Sequence, residues 1–178
     1  MSSILNVDTV RNTSNRITLP STGSVVSYQQ VFFPGYINFS TTAAVEIPQL
    51  RLQIKPKRSS NILIMEWMLQ GEGPTNGGFR VFKNGANITT TGQQSYNNIT
   101  GNTQPSVIIP AYYDNNNGTT PSNYKLSYWG QAGSTSEMTF APAWQSSNTT
   151  AAAFRLNRYY SGDAERMVSF GYIMEISA

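Results

Sequence analysis

The chain has no cysteine and no histidine among its 178 residues. Without cysteine there is no disulfide, thiolate nucleophile, iron–sulfur cluster or thiolate-held zinc. Without histidine there is no Ser–His–Asp triad, and the commonest metal ligand is missing. Charge is scarce too: Asp, Glu, Lys and Arg make up 12%, about half the share of an ordinary soluble domain. No apolar run approaches the ~20 residues a helix needs to cross a bilayer. The opening stretch SSILNVDTVRNTSNRITLPSTGSVV lacks the basic start and continuous apolar core of a secretion leader, so no leader is expected.

What the chain does contain is neutral polarity. Asn, Ser and Thr together supply 55 residues. Thr favours strands, Asn and Ser favour turns, and all three disfavour helix interiors because their side chains compete for backbone hydrogen bonds. The net charge is +3, yet the basic residues are scattered and KPKR (Lys55–Arg58) is their one cluster. It lies between two β-prone runs, QLRLQIK and ILIMEWML, and reads as a charged turn rather than a nucleic-acid patch. Six Asn-x-Ser/Thr sequons are what so much Asn, Ser and Thr produces by chance.

From Val25 onward the pattern is strands and turns. SVVSYQQVFF and YINF flank the turn at Pro34–Gly35. In AVEIPQLRLQIK, Leu50, Leu52 and Ile54 alternate with Arg51, Gln53 and Lys55, and Pro48 predicts an edge or a bulge. NILIMEWML is apolar on both faces apart from Glu66, so it must be covered on both sides. Asn84–Gly85 in FRVFKNGANITTT predicts a type I′ hairpin, since both residues tolerate positive φ. SVIIPAYYD, YKLSYWGQA, EMTFAPAWQ, AAAFRLNRYY and RMVSFGYIMEIS complete the set. In FRLNRYY, Phe154, Leu156 and Tyr159 or Tyr160 can face a core while Arg155, Asn157 and Arg158 stay wet; in the last strand, Val168, Phe170, Tyr172, Met174 and Ile176 share one face and Ile173 and Glu175 the other. Eight to ten strands without a three-turn helix predict an all-β protein, a jelly-roll β-sandwich, at residues 27–178. Residues 1–26 are expected to form an extended N-terminal arm, polar except for a few apolar teeth.

The chemistry-bearing motifs are weak. EGPTNGG (Glu72–Gly78) lacks the Gly-Lys-Ser/Thr of a phosphate loop, and DNNNG (Asp114–Gly118) lacks the spacing of a calcium loop. No metal or other cofactor is expected. Glycoside hydrolysis needs two facing carboxylates; the candidates are Glu66, Glu72, Asp114, Glu137, Asp163, Glu165 and Glu175. Glu66 and Glu175 stand out because both interrupt apolar strands, which suits an interface or an ion pair better than catalysis, and the chain is expected not to be an enzyme. Tyr112, Tyr113, Tyr128, Trp129, Tyr159 and Tyr160 are candidates for stacking on a sugar or receptor, although most aromatics in a sandwich are core.

Several motifs together resemble a family of small structural proteins of tailed phages, especially marine cyanophages. They are Val7-Asp8-Thr9-Val10 through Leu19-Pro20 to Gly23-Ser24-Val25, LQIKPKRSSNILI (Leu52–Ile64), the pair Asn157-Arg158, and the ending YIMEISA (Tyr172–Ala178). The likeness spans nearly the whole chain and departs around Gly71–Gly78 and Asp114–Asn123. It implies a homotrimeric, tumour-necrosis-factor-like jelly roll in a virion fibre, knob or capsid decoration, assembled in the host cytoplasm. Ile62, Ile64, Glu66, Met68, Ile173 and Glu175 would then meet at the trimer interface. Ile4, Leu5, Val7, Val10 and Leu19 would seat the arm on another virion protein. A host surface glycan is the other partner class this reading admits; neither nucleic acid nor membrane is expected.

Overall fold

The computed structural model describes residues 22–72, 77–88, 93–94, 107–109, 121–146, 153–158 and 166–178. It is all-β: two antiparallel sheets face each other as a sandwich, and no α-helix occurs among the described residues. The strands are β1 (Val25–Phe33), β2 (Ile37–Ser40), β3 (Val45–Glu46), β4 (Leu52–Ile54), β5 (Ile62–Glu72), β6 (Gly77–Lys83) and β7 (Ala86–Asn87). They continue with β8 (Gln93–Gln94), β9 (Val107–Ile109), β10 (Ser122–Gln131), β11 (Met138–Ser146), β12 (Ala153–Leu156) and β13 (Ser169–Ile176). The larger sheet runs β1-β13-β5-β10-β8, with β12 joining β2 to β5; the smaller runs β3-β11-β6-β7, with β4 on β11 and β9 on β6. The sandwich begins ahead of residue 27. Val25 is already in register with Ile176, and Gly23 N–H donates to Ser177 O at 2.7 Å.

Local chemistry accounts for the joints. Asn84 and Gly85 both have positive φ (51° and 79°), as the predicted hairpin requires. Pro48 sits at a sheet edge, as expected, between β3 and β4, each paired only with β11 among the described residues. It opens a single 3-10 turn, Pro48–Leu50, that splits the run into β3 and β4. Pro142 lies on β11 where its partner changes from β3 to β4, so its missing N–H interrupts no ladder. Its carbonyl accepts from Ile47 N–H at 2.8 Å.

The core lies between the sheets. Phe79, Trp144 and Phe154 form its aromatic centre, with ring centroids 4.6–5.3 Å apart and Tyr124 alongside. Trp67 is fully buried and donates its indole N–H to Leu50 O at 3.0 Å. A Cβ on Gly171 would overlap the Cδ1 edge of that indole, so a side chain there would force Trp67 or β13 to move.

Asn157, expected to be wet, is fully buried in the left-handed region (φ 62°). Its side-chain amide donates to Phe33 O at 2.6 Å and Gly35 O at 2.7 Å, and it accepts from Ser169 Oγ at 2.6 Å. A residue so fully hydrogen-bonded is buried without penalty, and it ties the Phe33–Gly35 turn to the end of β12.

Candidate assembly interface

Period-two alternation puts Leu63, Met65, Trp67 and Leu69 of β5 in the core, so Ile62, Ile64, Glu66 and Met68 face outward. Strand register sets neighbours beside each, and four rows cross β1, β13, β5 and β10. Phe32, Phe170, Met68 and Lys125 make the first row. Gln30, Tyr172, Glu66 and Ser127 make the second. Tyr28, Met174, Ile64 and Trp129 make the third, and Val25, Ile176, Ile62 and Gln131 the fourth. One polar row is thus flanked by apolar rows.

This face is open to water. Phe32 is 58% exposed and Tyr28 54%, while the isoleucines and methionines between them are half-buried by their neighbours. Phe32 packs on Phe170 (centroids 5.9 Å apart) and Tyr28 stacks on Tyr172 (6.1 Å). With strands ~4.8 Å apart and same-face residues ~6.7 Å apart along them, the four rows cover about 500 Å² in projection. Polar side chains take up part of that area; the apolar remainder, exposed at Tyr28, Phe32, Trp129 and Phe170, is the kind of surface that commonly marks an interaction site.

Glu66 sits at the centre of the face. Lys125 Nζ lies 2.7 Å from its Oε1, Tyr172 O–H donates to Oε2 at 2.7 Å, and Ser127 O–H donates to Oε1 at 3.3 Å. Burial pushes the carboxyl up, but the bonds from Lys125, Tyr172 and Ser127 together outweigh it and hold Glu66 below the usual glutamate range. The phenol of Tyr172 is pushed up to about 12, by burial first and then by its bond to Glu66.

Ile173 and Glu175 do not join this face, which corrects their grouping with Ile62, Ile64, Glu66 and Met68. Both lie on the inner side of β13, fully buried. Glu175 Oε1 accepts from Lys57 N–H and Asn61 Nδ2, each at 2.6 Å, and from Arg58 N–H at 3.4 Å. It locks the KPKR turn to the last strand. Glu66 and Glu175 therefore point to opposite sides of one sheet and do not form the facing pair a glycoside hydrolase needs. Phe170, Tyr172 and Met174 fill the places expected of Ile173 and Glu175.

The aromatic candidates divide. Tyr128 is in the core, 8% exposed, because β10 turns it inward; it offers no stacking surface. Trp129 is 39% exposed on the outer face, two residues before the end of β10. Tyr112, Tyr113, Tyr159 and Tyr160 lie outside the described residues, as do the arm positions Ile4, Leu5, Val7, Val10 and Leu19 and the DNNNG segment. Sequence reasoning missed Tyr28, Phe32 and Lys125 as members of the face; the signal available was the alternation of Tyr28, Gln30 and Phe32 in SVVSYQQVFF. No protein-family model matches the chain. No curated protein matches it either.

Proposed function

We propose that the chain is a structural protein of a tailed-phage particle. It would be a homotrimeric tail-fibre, capsid-fibre or decoration knob, folded as a tumour-necrosis-factor-like jelly roll and held in the virion by residues 1–26. The observation that carries the reading is the outer face of the large sheet, where Val25, Tyr28, Phe32, Trp129 and Phe170 are exposed among the described residues. Its occupant is another copy of the same chain. The one carboxylate on the face is already paired by its own Lys125, so the surface asks for no charged partner. Charge-poor, aromatic-rich contacts of this kind typify the centre of permanent interfaces. The projected area is of the order of one partner's share of a standard interface, about 800 Å² of accessible surface. The motif resemblance supplies the virion setting.

The experiment is analytical ultracentrifugation of the full chain together with immunogold microscopy of particles that carry it. A trimer in solution and gold on fibres, knobs or capsid support the reading. A monomer at every concentration, or particles without label, refute it. A second reading, recognition of host surface glycan, is favoured by the exposed indole of Trp129. Glycan-array binding that disappears in Trp129→Ala would establish it.

A further inference from the structure

An apolar face with a carboxylate at its centre poses a problem for any partner that covers it. Closing the contact strips water from Glu66, and an ion buried without partners costs several kcal/mol. Either the partner supplies a cation, or the ion enters already satisfied. Here three donors of the same chain reach it: Lys125 and Ser127 from β10, and Tyr172 from β13. The other groups that face this cluster among the described residues are Gln30 and Tyr28 of β1, the latter stacked on Tyr172. No second carboxylate faces Glu66 among the described residues.

We propose that the Lys125–Glu66 pair, buttressed by Tyr172 and Ser127, is the specificity determinant of self-association: it carries the central carboxylate into the dry contact as a neutral unit and so lets the face close on another copy. This inference rests on the reading of that face as a contact between copies. Removing Lys125 leaves a carboxylate with two hydroxyl donors and no counter-charge. A covering subunit would then disfavour its ionised form, because burial already acts in that direction. Association of such a variant becomes coupled to proton uptake and strengthens as pH falls. Lys125 stands with its side chain half exposed at the edge of the cluster, so its replacement leaves the protomer's core intact.

The test is the association constant of the full chain, measured by ultracentrifugation at pH 8 and pH 5, for wild type, Lys125→Met, Lys125→Arg and the double variant Glu66→Gln/Lys125→Met. Wild type should associate at both pH values. Lys125→Met should associate about 100-fold or more weakly at pH 8, the penalty for orphaning a buried ion, and recover at pH 5. Lys125→Arg and the double variant should associate at both. Lys125→Met that associates like wild type at pH 8 overturns the proposal and leaves self-association standing. So does a loss that pH 5 or Glu66→Gln does not restore. A wild-type chain that stays monomeric overturns the proposal and the underlying reading together.

Discussion

Tyr172 and Glu175 show how single residues on one strand answer to two different environments. Tyr172 donates outward to Glu66 and its phenol is raised from 10.0 to about 12. A raised folded-state value means the stability it contributes is fully present below pH 10.0 and is lost as pH rises toward 12. Absorbance at 295 nm should therefore show one phenolate appearing near pH 12 in wild type and missing in Tyr172→Phe, with urea stability falling over the same window. Glu175 accepts inward, from two backbone amides and Asn61. Glu175→Ala would leave those donors without an acceptor in the interior, at about 1–3 kcal/mol for each one buried. Glu175→Gln keeps one acceptor oxygen and should be distinctly less destabilised in urea unfolding. Residue type alone placed Glu175 with the interface residues. Nothing in the sequence showed that the KPKR turn would fold back to deliver two amides to it.

Among the elements, the β5–β13 pair was half legible. Alternation separated the faces of β13 correctly, and the Asn84–Gly85 hairpin followed from two residues that accept positive φ. The break at Pro48 was visible, but its outcome depended on β11, whose change of partner at Pro142 makes room for the 3-10 turn. Within the pair, Gly171 crosses Trp67 where a side chain would overlap the Cδ1 edge of the indole. Gly171→Ala should cost about 1–3 kcal/mol as overpacking, read as a lower urea midpoint with an altered near-ultraviolet signal from the displaced indole. A midpoint equal to wild type would mean that β13 can shift away from Trp67 without loss.

At the scale of the molecule, the outer sheet face keeps large apolar side chains exposed among the described residues. On the proposed reading of that face as a contact between copies, Ile64→Asp in its middle should reduce the mass in solution to that of a single chain while the urea midpoint of the protomer stays nearly constant, since Ile64 is only half-buried there. Loss of the fold together with the mass would instead make the face part of the protomer's own stability. The all-β class was determined by the sequence alone, because Thr, Asn and Ser in such number favour strands and turns over helix interiors. So was the two-faced character of NILIMEWML, which needs only period-two geometry. Glu66 already marks the Ile62–Met68 face as the one left out of the core. What tertiary structure decided is which side chains the other face meets, because Trp144, Phe79 and Phe154 come from distant strands. Tertiary structure also decided that Glu66 meets Lys125 and Tyr172 while Glu175 meets the KPKR turn. Those partners lie on other strands or across a loop, and only sheet register and closure of the sandwich bring them together.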